Sequence, residues 1–270
     1  MDLRAAVMTG GITAVKAQFG LFKHPDVNAR DDSGKTPLHI AAGLLGNSEI
    51  TAFLILKGAA LELRDAEGCT PLHRAAAPSE SLRLPNLKLL LRAGAQVDSR
   101  DDEGDTPLYY AVSKSNIDCV AELLAHHANP NSKNIKGYTP IFSLDPEKTR
   151  GSLTILSMLL EAGAEVNVKD AQGRYLLHHF ASSGNEQLTA AILSAGANPN
   201  CAKPSGWTPL HDAAAFGHIA VAKQLLASGA NIEATNDKGR TPFDAAMNQG
   251  QTSMMEFLVE NGASVFGDTR

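Results

Sequence analysis

At 270 residues the chain can bury a large core, and 43% apolar with 20% charged residues is the make-up of an ordinary folded protein. Lys and Arg number 24 against 29 Asp and Glu, a net charge of −5, so composition offers no basic footprint for nucleic acid. No apolar run approaches the roughly 18 residues of a membrane-spanning helix, and Met1-Asp2-Leu3-Arg4 does not read as the start of a signal peptide.

In chain order, Leu3 to Val7 and Ile12 to Phe19 read as two short helices, and Val27-Asn28 leads into a turn. These form an N-terminal capping unit over about residues 1–31. One phrase then recurs. Gly34-Lys35-Thr36-Pro37-Leu38-His39-Ile40-Ala41-Ala42 belongs to a unit spanning 32–65, and Gly68-Cys69-Thr70-Pro71-Leu72-His73 to one spanning 66–101. Gly104-Asp105-Thr106-Pro107-Leu108 marks 102–134, and Gly137-Tyr138-Thr139-Pro140-Ile141 marks 135–170. A degenerate copy, Gly173-Arg174-Tyr175-Leu176-Leu177-His178, marks 171–203. Gly206-Trp207-Thr208-Pro209-Leu210-His211 marks 204–236, and Gly239-Arg240-Thr241-Pro242-Phe243 marks a C-terminal capping unit over 237–270. Successive Thr positions, with Tyr175 standing in once, lie 34, 36, 33, 36, 33 and 33 residues apart.

Each recurring residue has a physical reason. Thr caps a helix, and Pro follows where its missing N–H costs nothing. Leu and the Ala pair form the face against the next unit. A second phrase, such as Gly58-Ala59 or Gly94-Ala95, closes the second helix with a left-handed glycine. His127 occupies that slot once, which is tolerable because His is enriched among non-glycine residues at positive φ. Asp-x-x-Gly, as in Asp65-Ala66-Glu67-Gly68, reads as a tight turn.

These residues resemble the ankyrin family, whose repeat of about 33 residues carries T-P-L-H-x-A. The resemblance runs from about Leu3 to about Val265 and implies an all-α repeat solenoid, a single stack of eight helix-turn-helix units joined by short hairpin or turn fingers. It implies further that the fingers and first helices line a concave groove that binds a protein. Carried over by position, the finger-tip row is Lys35, Cys69, Asp105, Tyr138, Arg174, Trp207 and Arg240, with Arg74, Tyr110, His179 and Asp212 on the first helices. Tyr, Trp and Arg are enriched at interface hot spots, which singles out Tyr138, Arg174 and Trp207. Asp101, Asp102, Glu103 and Asp105 make an acidic corner earlier in the chain.

Departures from the pattern fall between the paired helices. Insertions are expected over 78–86 and 145–151 as surface loops, either drifting or binding. The Thr139 repeat has Phe142 in place of His, Ser143-Leu144 in place of the Ala pair, and Pro146 close behind, so its first helix should be short or distorted. With Thr-Pro lost in the next repeat, a softer joint is expected over about 140–180.

Catalytic and metal-binding patterns are absent: there is no H-E-x-x-H, paired C-x-x-C or EF-hand loop. His39, His73, His178 and His211 sit in the signature slot and are expected to make structural hydrogen bonds. Cys69, Cys119 and Cys201 are far apart and read as reduced thiols in a cytoplasmic or nuclear protein, all three as small apolar side chains, with exposure of Cys69 at its finger position the alternative. The reading is therefore a monomeric, non-enzymatic adaptor, scaffold or inhibitor with a protein partner and no cofactor, metal, nucleic acid or membrane. Two other readings stand beside it: acid–base chemistry in a groove pocket holding His179, Tyr110 and Asp212, and an effector that mimics host repeats.

Overall fold

The computed structural model describes residues 2–9, 11–20, 24–44, 48–77, 84–145 and 149–265. Among them are fifteen α-helices, one 3-10 helix and a single isolated backbone bridge, Lys169 to Tyr175. The first helices of successive repeats are α1 (Leu3–Met8), α3 (Pro37–Gly43), α5 (Pro71–Ala76), α7 (Pro107–Ser113), α10 (Leu176–Ser183), α12 (Pro209–Ala215) and α14 (Pro242–Asn248). The second helices are α2 (Ile12–Ala17), α4 (Ser48–Leu56), α6 (Leu84–Arg92), α8 (Ile117–Ala125), α9 (Thr149–Glu161), α11 (Glu186–Ser194), α13 (Ile219–Ala227) and α15 (Thr252–Glu260).

The chain forms two compact units, residues 1–135 with 139–144, and residues 136–138 with 145–270. In the first unit, α1, α3, α5, α7 and the 3-10 helix pack in one layer, and α2, α4, α6 and α8 in a second. In the second unit α10, α12 and α14 form one layer, and α9, α11 and α13 the other. The core lies between the layers. Leu38, Leu72 and Leu108 are buried from the first helices, and Leu54, Leu90 and Leu123 from the second. The paired alanines, such as Ala41-Ala42 and Ala213-Ala214, are fully buried and let neighbouring helices approach closely.

The signature histidines tie four of the repeats to the one that follows. Thr36 N–H donates to His39 Nδ1 at 3.2 Å, and His39 Nε2 lies 3.0 Å from the Cys69 carbonyl. A carbonyl only accepts, so Nε2 carries the ring proton and Nδ1 is the acceptor. His73, His178 and His211 repeat the arrangement onto the carbonyls of Asp105, Trp207 and Arg240 at 3.1, 2.9 and 3.0 Å. Burial is the largest cause holding all four imidazoles below the ordinary histidine range. In the last repeat Asp244 takes the slot, accepting from Thr241 N–H at 2.8 Å with no donor to pass onward.

The Thr139 repeat departs from its neighbours in the way its sequence suggests. Its first helix is the 3-10 turn Pro140–Ser143. Phe142 cannot accept at the histidine position, and the buried Thr139 hydroxyl has no hydrogen-bond partner. The division between the two compact units falls in this repeat.

His127 takes the glycine slot at φ 63°, and Ser115, between α7 and α8, adopts φ 56°. Of the first expected insertion, 78–83 lies outside the described residues, while 84–86 begins α6. Asn86 is buried there and donates to the carbonyls of Ala41, Ala42 and Leu44 at 3.1, 3.3 and 3.2 Å, so it closes the end of α3. Of the second, 146–148 lies outside the described residues, and Ser152 in α9 donates to the Asp145 carbonyl at 2.7 Å.

Candidate functional site

Each finger is a turn built around its first residue. Asp65 Oδ1 accepts from the N–H groups of Glu67 and Cys69 at 3.0 and 3.1 Å, and Gly68 N–H closes the turn on the Asp65 carbonyl at 3.0 Å. Asp31, Asp101, Asp170 and Asn236 hold their fingers in the same way. Most neighbouring fingers join through one backbone bond, such as Asp102 N–H to the Glu67 carbonyl at 3.2 Å or Ala171 N–H to the Lys136 carbonyl at 2.8 Å, whereas Pro204 has no N–H to donate at that place. Gly137 is required by that approach: a Cβ there would lie 2.7 Å from Ala171 N.

The second oxygen of the finger acid reaches nine residues along, to the middle of the first helix. In the first unit Arg74 Nε donates to Asp65 Oδ2 at 2.8 Å, and its Nη2 reaches Glu67 at 2.9 Å. Tyr110 Oη donates to Asp101 Oδ2 at 2.7 Å and stands edge-on to His73. Burial raises the Asp65 carboxyl, but the Arg74 guanidinium and the two finger N–H groups outweigh it and hold the group below the usual carboxylate range. Cys69 is fully buried, not exposed as its finger position suggested, because the Tyr110 hydroxyl lies 3.3 Å from its sulfur. Burial pushes its thiol up to about 11, which leaves it unreactive.

In the second unit Arg174 sits between two partners. Its Nε donates to Asp170 Oδ2 at 2.7 Å and its Nη2 to Tyr138 Oη at 2.9 Å. His179 Nε2 lies 3.3 Å from the same Asp170 oxygen, and its ring stands edge-on to Tyr138 at 6.0 Å. Burial raises the Asp170 carboxyl, but the Arg174 backbone N–H and guanidinium outweigh it and hold the group low. One repeat on, the charges are exchanged: Lys203 stands where the finger acid belongs, and Asp212 stands on the helix. Lys203 Nζ lies 2.8 Å from both Asp212 oxygens, and Trp207 Nε1 donates to Asp212 Oδ1 at 2.8 Å. Asp212 is buried, and burial raises its carboxyl in spite of Lys203, Trp207 and Arg174. The Trp207 ring lies 4.9 Å from that of His211.

Of the residues singled out from sequence, Tyr138, Arg174 and His179 are thus in contact, and Trp207 and Asp212 are in contact one repeat on. Arg74 and Tyr110 belong to the first unit. Asp105 accepts from Asn134 Nδ2 at 2.8 Å, and its carbonyl is held by His73. Lys35 and Arg74 line a recess of ≈ 420 Å³ with Met8, His39 and Leu44. Arg240 is exposed, with its carbonyl held by His211. Tyr110 and the pair His179 and Asp212 lie in different compact units, and the catalytic reading gains no observation from them.

Sequence reading missed Asp170 and Lys203, and took Asp65 as a turn residue and Asp101 as part of an acidic corner without their role in fixing the first-helix residues it did find. The signal was present as complementary partners nine residues apart. It also missed Phe216, 58% exposed at the end of α12. Among the described residues no group of three His, Cys, Asp or Glu is placed to hold a metal ion, and no helix is long and apolar enough to cross a membrane.

A family model for ankyrin repeats (3 copies) matches residues 3–84, 80–144, 147–236 and 191–268. No curated protein matches the chain. The tandem helix pairs, the Thr-His ties between repeats and this match give one result: the chain belongs to the ankyrin-repeat family.

Proposed function

We propose that the chain is a non-catalytic, monomeric protein-binding module, an adaptor, scaffold or inhibitor, that takes its partner on the fingers and first helices of the second unit. The observation that carries this reading is the immobilised half-buried row Tyr138, Arg174 and Trp207. Asp170 holds the Arg174 guanidinium at 2.7 Å, Arg174 in turn donates to the Tyr138 hydroxyl at 2.9 Å, and Asp212 accepts from the Trp207 indole N–H at 2.8 Å. Aromatic and Arg side chains fixed before binding lose little rotamer freedom on contact, the condition under which they act as hot spots. The fold itself assigns no partner. A cytoplasmic or nuclear setting is supported by Cys69, Cys119 and Cys201, all free and buried.

A pull-down from native-source lysate tests the reading, comparing the wild type with Trp207→Ser and with Arg240→Glu. Circular dichroism first establishes equal helicity. A protein retained by the wild type and lost from both variants supports the proposal. A protein retained equally by all three places the interface elsewhere.

A further inference from the structure

Charge in the second unit is sorted by position. Residues 136–138 and 145–270 contain ten Lys and Arg against thirteen Asp and Glu, so the unit is acidic in total. Its fingers are the reverse. Lys136, Lys169, Lys238 and Arg240 are exposed there, against the exposed acids Asp237 and, on the same connection as Lys169, Glu165. The finger carboxylate Asp170 and the helix carboxylate Asp212 are both buried, matched by Arg174 and Lys203, so they do not cancel the exposed cations. Acid accumulates instead on the second helices, at exposed Glu161, Glu186, Glu256 and Glu260.

An apolar element runs beside this basic edge in one repeat. Trp207 precedes α12 at its finger end, and Phe216 closes α12 at the other. Phe216 is four residues beyond Asp212, one helical turn on, and its exposed ring stacks at 6.1 Å on that of His218. Thr208 to Phe216 covers roughly 12 Å of helix rise. Trp207 cannot swing freely: its indole N–H is bound to Asp212, its carbonyl to His178, and its ring lies beside His211.

We infer that the second unit recognises an acidic segment of its partner, with carboxylates against the finger cations and an apolar side chain seated between Trp207 and Phe216. This deepens the protein-binding reading above and rests on it. A peptide of mixed acidic and apolar residues matches both features. Duplex nucleic acid matches only the cations, and a single strand, whose bases could stack on Trp207, is distinguished by the oligothymidylate arm below.

Trp207 is the only Trp of the chain, so tryptophan emission from the intact protein reports on this place alone. The probes are a short Glu/Asp-rich peptide with one central Phe, the same peptide with every acid replaced by Lys, and an oligothymidylate of equal length. The acidic peptide should shift the emission saturably. Its affinity should fall about tenfold or more in high salt and in the Lys238→Glu, Arg240→Glu double variant, both exposed positions. The Lys peptide should not bind. Equal binding of the Lys peptide, tighter binding of the oligonucleotide, an undiminished affinity in the double variant, or no response to the acidic peptide would each overturn the inference. In any of those cases the protein-binding reading still stands if a captured partner is lost from Trp207→Ser.

Discussion

Lys203 holds Asp212 at 2.8 Å with the charges reversed relative to Asp65 and Arg74, which occupy the same two places nine residues apart in another repeat. The finger-to-helix bond is thus conserved in geometry while its polarity is exchanged. Lys203→Ala should destabilise the protein by about 3 kcal/mol at neutral pH, because it leaves a buried carboxylate without its cation. The double variant Lys203→Asp, Asp212→Arg installs the polarity of Asp65 and Arg74 and should recover most of that loss in urea unfolding. Trp207 emission should still change in the double variant, since the indole N–H loses its acceptor. A double variant no more stable than the single one would show that the pair is not interchangeable.

Acid should weaken the stack in a defined window. His39, His73, His178 and His211 are held below the ordinary value of 6.5, His178 at about 4. The unfolded chain takes up protons at these sites before the folded chain does. Their contribution is complete above pH 6.5 and is lost as pH falls toward the folded values, on the order of 3 kcal/mol for His178 alone. Asp212, raised by burial, acts in the opposite sense below neutrality, and Asp65 and Asp170, held low, add their loss only below the carboxylate range. The urea midpoint should drop between pH 7 and pH 4.5, and His178→Gln should flatten the slope. A midpoint that is constant or rises on acidification contradicts the Nδ1-acceptor arrangement.

The repeats were legible because Thr, Pro, His and Gly each answer a local backbone need that returns at a fixed interval, so Thr36 and His39 announce their own bond. Cys69 left two readings open because finger position alone does not say which way a side chain turns; Tyr110, 41 residues later, covers it. Asp170 and Lys203 were passed over as turn residues, although their partners stand nine places on. Phe216 gave no periodic signal, since an aromatic at a helix end reads equally well as core.

Among the described residues two that are not glycine carry left-handed backbone, Ser115 at φ 56° and His127 at φ 63°. The Ser115 hydroxyl is buried without a partner. Ser115→Gly should therefore raise stability by roughly 0.5–1 kcal/mol, as relief of the left-handed conformation exceeds the added freedom of the unfolded chain. Thermal unfolding checks it, and a lower Tm would contradict it.

Phe142 leaves Thr139 without the ring nitrogen that Thr36 and Thr208 find in His39 and His211. Backbone amides of 139–145 should exchange faster than those of α12. Phe142→His should slow them by supplying the missing acceptor, a gain of about 1 kcal/mol. Unchanged exchange in the variant would place the weakness of this repeat in its 3-10 backbone instead.

The most direct test of the central claim is where a bound partner touches the second unit. A photo-cross-linking side chain placed singly at Arg240, Phe216, Lys223 or Glu256 samples two finger and first-helix positions and two exposed second-helix positions. Cross-links to the captured protein from positions 240 and 216, and none from 223 and 256, are the predicted result. Cross-links from 223 or 256 alone would contradict the account and move the interface to the second helices.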